Sequence, residues 1–149
     1  MATSIGNETR VNELLENLIQ LDYDAIEAYQ AAIDRIEDPQ SRQSLSEFKA
    51  DHERHTQNLG MYLRDLGETP PKNGDMKSIL TKGKVVLAGL VSDKAILKAM
   101  KSNEDDTNTA YSQALERTDL AADVMQTLKE NLADERRHRT WIEQRLAQL

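Results

Sequence analysis

The sequence predicts an all-α protein, an antiparallel four-helix bundle with one long crossover between its second and third helices. Three observations lead there. Charged residues make up 30% of the 149-residue chain, with only 6 Gly and 3 Pro, whereas strands and their turns consume more of both breakers. Apolar residues recur at alternating steps of three and four over four long stretches, the signature of helices with one buried face. The breaks between those stretches are short, long and short, which gives two helical hairpins joined by a crossover.

The first helix starts after Thr9, a candidate N-cap, and runs to about Glu37, where Asp38-Pro39 stops it. A residue before proline is pushed out of the helical region. The second runs from about Gln40 to Leu66 and ends at Gly67-Glu-Thr-Pro-Pro71, a Gly-then-Pro terminus. Residues 67–92 form the crossover, with a weakly helical middle from Met76 to Leu90 interrupted by Gly83. Lys77, Lys82 and Lys84 in that segment read as solvated surface lysines, with a local basic site as the alternative. The third helix runs from Ser92-Asp93 to about Arg117, and the fourth follows Thr118-Asp119. The chain is thus expected to form a single domain: hairpin 9–66, crossover 67–92, hairpin 93–149.

Composition narrows the function. Without Cys there is no disulfide, thiolate zinc site, iron–sulfur cluster or thiol nucleophile. A net charge of −7 and few aromatic residues (4%) disfavour nucleic-acid partners and anionic membranes. No 18-residue apolar run is available to span a membrane, and the first ten residues lack the pattern of a signal peptide. A soluble cytoplasmic protein is expected.

The halves of the chain resemble each other. Asp22–Arg35 aligned with Glu104–Arg117, and Gln43–Leu63 aligned with Gln126–Leu146, give thirteen identities in 35 positions. Roughly two are expected from ordinary residue usage. The matches include Tyr29/Tyr111, Asp51/Asp134, Arg54/Arg137 and His55/His138, and they indicate an internal duplication.

The buried seams carry the functional signal. Helix 1 reads Val11, Leu15, Leu18, Asp22, Ala25, Tyr29, Ala32, Ile36, and helix 2 reads Leu45, Phe48, His52, His55, Leu59, Tyr62, Leu66. Helix 3 reads Leu97, Met100, Glu104, Thr107, Tyr111, Ala114, and helix 4 reads Val124, Leu128, Asn131, Glu135, His138, Ile142. Each seam therefore includes ionisable residues: Asp22; His52 and His55; Glu104; Glu135 and His138. Counted from the hairpin turns at ~1.5 Å per residue, all six fall within about two helical turns of one level. Three carboxylates and three imidazoles buried without compensation would cost several kcal/mol per charge. A divalent cation compensates them most directly, and a buried hydrogen-bond network with water is the competing reading. Asp51, Glu53 and Asp134 lie just off the seams and read as surface groups or supports for the ligands, with Asp51 one helical step from the interior. Met100 reads as core filler, and a haem-ligand role arises only from the family resemblance given next.

These residues resemble a family. Glu135-Arg-Arg-His138-Arg-Thr-Trp141-Ile-Glu143 looks like the fourth-helix Glu-x-x-His-x-x-Trp-x-Glu stretch of bacterioferritin-type proteins. Asp22…Tyr29 and Glu104…Tyr111 match the acidic-x6-Tyr spacing of helices 1 and 3 in ferritin-like di-iron proteins. The pattern, over about Val11–Leu149, is similar to small bacterial ferritin-like proteins related to rubrerythrin and bacterioferritin. The resemblance implies a ferritin-like bundle in which Asp22 and Glu104 are terminal carboxylates and Glu135 spans two metals. His55 and His138 would each bind one ion. It implies two Fe ions oxidised by O2 or peroxide, in iron handling or protection from oxidative stress. Mn or Zn also suit such donors, and Zn alone would imply a structural or hydrolytic role. Tyr29 and Tyr111, two turns from Asp22 and Glu104 on the same seams, are placed to hydrogen-bond metal ligands, beside the plainer reading as packing residues with a satisfied hydroxyl. A homodimer or small homo-oligomer is compatible with it. The absence of Cys removes a rubredoxin-type centre, and the lack of a fifth helix argues against storage in a 24-subunit shell. Two departures stand out: His52 occupies the place of the second bridging Glu, and Asp22 is shorter than the usual Glu. Such a site could hold two ions asymmetrically, recruit Asp51 or Glu53, or hold one ion. The remaining alternative is a non-catalytic bundle whose polar core fixes helix register.

Overall fold

The computed structural model describes residues 5–72 and 89–149. Their helices are α1 (Val11–Arg35), α2 (Pro39–Asp65), α3 (Asp93–Ala114) and α4 (Ala122–Ala147). α1 packs along α2 and α3 along α4, and α1 against α3 and α2 against α4 close the bundle. The expected all-α four-helix architecture is present. The weakly helical middle of the crossover, from Met76 to residue 88, lies outside the described residues, as do Lys77, Lys82 and Lys84.

Local chemistry sets the ends of the helices. Asp38 caps α2 by accepting from the Ser41 N–H, with Pro39 in the first turn, where its missing N–H costs nothing. Ser92 caps α3 by accepting from Ala95 N–H. α2 ends on Gly67 at φ 80°, and Glu68 N–H bonds back to the Leu63 carbonyl. This left-handed closure is the reason a glycine is needed there. The other two starts differ from expectation. Arg10 rather than Thr9 precedes α1, with no side-chain cap, and Ala121 precedes α4 because Asp119 is engaged by Arg117. α3 ends at Ala114, three residues short of Arg117. Arg117 instead reaches the carbonyls of Gly6 and Glu8 and ties the N-terminal segment to the bundle.

At the opposite end Asp93 accepts from the backbone N–H groups of Glu37 and Asp38, and Arg145 donates to Asp38. The α1–α2 turn is thereby joined to the start of α3 and the end of α4, which fixes the register of one hairpin against the other. The core divides into two apolar clusters. One contains Leu15, Leu18, Leu59, Leu63 and Leu128, and the other Ile36, Leu45, Phe48, Leu97, Met100 and Ile142. Each fully buried aliphatic side chain contributes roughly 1.5–3 kcal/mol. Met100 is part of the second cluster, as core filler should be. Three seam assignments need correction: Leu66 is exposed because α2 ends before it, and Val11 and Tyr62 are only partly buried.

Candidate metal centre

All six ionisable seam residues are buried, each 0–1% exposed. They divide into two groups whose donor atoms could hold a metal ion: Asp22, His52, His55 and Glu135, and His52, Glu104, Glu135 and His138. The division follows individual atoms. In the first group Asp22 Oδ1 lies 2.7 Å from His52 Nδ1 and 3.1 Å from His55 Nδ1, and Glu135 Oε1 lies 3.5 Å from His55 Nδ1. In the second, Glu104 Oε1 lies 3.5 Å from His52 Nε2 and 3.4 Å from His138 Nδ1. Glu135 Oε2 completes it, 3.4 Å from His52 Nε2 and 3.5 Å from His138 Nδ1. Glu135 thus turns one oxygen to each group.

Three of these atoms, His52 Nε2, Glu135 Oε1 and His138 Nδ1, are buried without a hydrogen-bond partner. An unmet buried polar atom costs about 1–3 kcal/mol. Two of the three, His52 Nε2 and His138 Nδ1, face the second group and Glu135 Oε1 the first, so each group contains donor atoms not spent on one another, as a set of metal ligands would. Carboxylate oxygen with imidazole nitrogen suits Fe, Mn or Zn, so the residues present fit the metal that the ferritin-like pattern implies.

A second layer of side chains holds these residues and follows the repeat between the halves. Tyr29 on α1 donates to Glu104 on α3, and Tyr111 on α3 donates to Asp22 on α1, the latter at 2.6 Å. Each tyrosine therefore serves the carboxylate of the opposite half rather than the one on its own seam. His55 Nε2 lies 2.9 Å from Asp134 and His138 Nε2 lies 2.8 Å from Asp51, again across the two halves. Arg54 and Arg137 close the pattern from outside, Arg54 on Asp134 and Arg137 on Asp51. Every contact of this layer maps onto another under the 82–83-residue offset. Asp51 and Asp134 are therefore supports for the histidines and not surface groups, while Glu53 faces outward and pairs with Lys49. Thr107 Oγ1 lies 3.2 Å from a carboxylate oxygen of Glu104 and of Glu135, and Asn131 reaches the Tyr111 hydroxyl. Asn58 is a site neighbour that periodicity did not single out, paired with Asn131 across α2 and α4.

The electrostatics are tightly coupled. Burial opposes charge on every histidine, yet the carboxylates prevail. The Glu135 charge and the Asp22 hydrogen bond push His52 up to about 9. His55 is pushed up to about 12 by Asp22 and Asp134, and His138 up to about 11 by Asp51, Glu104 and Glu135. Burial likewise raises the Asp22 and Glu104 carboxyls, but the histidines outweigh it and leave both below the ordinary range. Burial, then the neighbouring carboxylates, hold Tyr29 and Tyr111 well above the usual phenol value, so both remain hydrogen-bond donors.

No described helix is long and apolar enough to cross a membrane. Residues 10–117 match the family described as a domain of unknown function, DUF2383. The fold is similar to the crystal structure of a conserved hypothetical protein from Mycobacterium tuberculosis. The TM-score is 0.74 at 14% identity, over 92% of this chain and 98% of that one. No curated protein matches.

Proposed function

This chain belongs to the DUF2383 family, a family without an assigned activity, and we propose from its own centre that it is a ferritin-like protein binding two metal ions. Iron is the ion proposed, with Fe(II) oxidised by O2 or peroxide in iron handling or oxidative-stress protection. The observation that carries this reading is the pair of four-residue groups sharing His52 and Glu135, with ligating atoms buried and unbonded. Asp22 and His55 would hold one ion, Glu104 and His138 the other, and Glu135 would offer an oxygen to each. Bound iron supplies the electrons with which the oxidant is reduced. The protein's part is to orient the ligands and keep the cavity dry. Tyr29 and Tyr111 fix the outer carboxylates, and Asp51 and Asp134 hold the outer ring nitrogens so that Nδ1 of His138 and His55 faces inward.

Metal analysis of protein purified without chelator tests the proposal. Near two Fe per chain are expected, lost in Asp22→Ala and His138→Ala, with an absorbance rise when O2 follows anaerobic Fe(II). Absence of both sinks it. One observation favours the plainer reading of a non-catalytic polar core. With the histidines raised by the carboxylates around them, imidazolium and carboxylate charges offset one another in the core without any ion. In that case the metal analysis returns an empty protein of undiminished stability.

A further inference from the structure

His52 differs from the other two histidines of the centre in where its ring nitrogens point. His55 and His138 each have one nitrogen held from outside, by Asp134 and Asp51, and one facing the ligand groups. His52 has no such outer support among the described residues. Its Nδ1 faces Asp22 in the first group at 2.7 Å, and its Nε2 faces Glu104 and Glu135 in the second at 3.5 and 3.4 Å. Nε2 is buried and without a hydrogen-bond partner, and the whole side chain is fully buried between the groups. The 83-residue offset places His52 opposite Glu135, whose two oxygens are likewise divided between the groups.

We propose that His52 bridges the two ions, Nδ1 on the ion held by Asp22 and His55 and Nε2 on the ion held by Glu104 and His138. This inference rests on the two-ion reading above. It accounts for the substitution that otherwise leaves the centre short of charge. Asp22, Glu104 and Glu135 supply three negative charges against the four positive charges of two divalent ions. A ring bonded to metal through both nitrogens has released its N–H proton to solvent and counts as the fourth negative charge. Each ion then has two carboxylates and two imidazole nitrogens, a set that imidazole-tolerant ions such as Zn, Fe and Mn accept. The bridge also dictates a spacing. Ions about 2.0–2.1 Å from nitrogens on opposite sides of one ring lie roughly 6 Å apart. Catalytic two-metal sites usually hold their ions about 3.5–4 Å apart, and the longer spacing requires the two Glu135 oxygens to reach the ions through their outward-facing lone pairs.

The test is a crystal structure of the Zn(II)-loaded protein, with the ions located by anomalous scattering, so the readout is position and not turnover. Two ions roughly 6 Å apart with the His52 ring between them support the bridge. Two ions within about 4.5 Å overturn it, as does a single ion, while both results leave metal binding standing. A chain that takes up no Zn(II), Fe(II) or Mn(II) overturns the bridge and the function together. Two variants make the result independent of one fold. In His52→Glu a carboxylate replaces the ring, and two ions are expected at the shorter spacing. In His52→Gln, which keeps bulk without a second ring nitrogen, uptake is expected to fall from two ions to one. Retention of two ions at unchanged spacing in His52→Gln would also overturn the proposal.

Discussion

The crossing of supports between the two halves leads to a site-selective prediction. In Asp51→Asn the acceptor behind His138 Nε2 keeps its shape but loses its charge, and in Asp134→Asn the same happens behind His55. Side-chain exposure is only 16% for Asp51 and 19% for Asp134, so water screens these contacts weakly. Loss of such a support lowers metal affinity by about 10–100-fold, or roughly 1.4–2.7 kcal/mol. Asp51→Asn should therefore weaken the ion on Glu104 and His138, and Asp134→Asn the ion on Asp22 and His55. Competitive titration with a chromophoric chelator, fitted as two steps, resolves the effect. In each variant one step should shift and the other hold, and the double variant should shift both. Circular dichroism of the chelator-treated variants checks that the helices persist. Equal weakening of both steps by each single variant would refute the assignment of one support to one ion, and unchanged affinities would refute the supporting role.

Further outcomes follow from the same geometry. Ion at 100 times its dissociation constant adds about 2.7 kcal/mol, which for a chain of this size raises Tm by roughly 5–11 °C; scanning calorimetry with Zn(II) or Mn(II), reversed by EDTA, checks it. Tyr29→Phe and Tyr111→Phe each remove a hydroxyl donated to a buried carboxylate, and each should cost about 1.5–3 kcal/mol in urea unfolding of the chelator-treated protein. The stability of that protein should also depend on pH in a defined direction. Asp22 and Glu104 are lowered, so their contribution is present above the ordinary carboxylate range and fades as pH falls. The histidines are raised, so theirs is full below about 6.5 and fades as pH climbs, through about 9 for His52 first. A Tm maximum between roughly pH 4.5 and 6.5 is expected, and a maximum above pH 8 would contradict the pairing.

Much of this centre is legible in the sequence because burial in a helical bundle is a matter of period. Asp22, His52, Glu104 and Glu135 sit on seams of Leu, Ala and Tyr, and a three-four count finds them without any structure. The helix ends were less legible, since Thr9 is a good cap in isolation but does not serve as one, and the fourth helix starts three residues after Asp119 rather than directly behind it. Glu8, a neighbour of Thr9, is drawn to Gly6 and Asn17, and Asp119 to Arg117, both contacts of tertiary or turn origin. Asp51 and Asp134 escaped the seam count for a different reason. Each lies one residue from a seam, on the flank of its helix, and reaches a histidine on the facing helix. A reading of one helix at a time does not contain that pairing. The signal that does contain it is the repeat itself. Asp51-His-Glu-Arg54-His55 and Asp134-Glu-Arg-Arg137-His138 share Asp, Arg and His at identical spacing, and the three shared types are the ones that pair across the halves.

The same comparison shows where the halves have parted. Two of the divergent pairs lie at the heart of the centre, Asp22/Glu104 and His52/Glu135. Because His52 and Glu135 each face both groups, their exchange leaves each group with two carboxylates and two imidazoles, and so does not by itself distinguish the groups. The distinction comes from the residues behind them. Phe48 stacks on the His138 ring at 4.3 Å and meets Trp141 edge-on at 5.6 Å. The positions that the offset equates with these two are Asn131 and Asn58, which hydrogen-bond each other, with Asn131 also reaching Tyr111. One group is thus walled by aromatic rings and the other by amides. A charge that changes near amide dipoles is stabilised by groups already oriented to meet it, whereas on the aromatic side the polar response falls to the Thr107 hydroxyl on Glu104 and Glu135. If two ions bind as proposed, the duplicated frame would give them matched donors and unmatched walls, and the two binding steps should then differ in affinity.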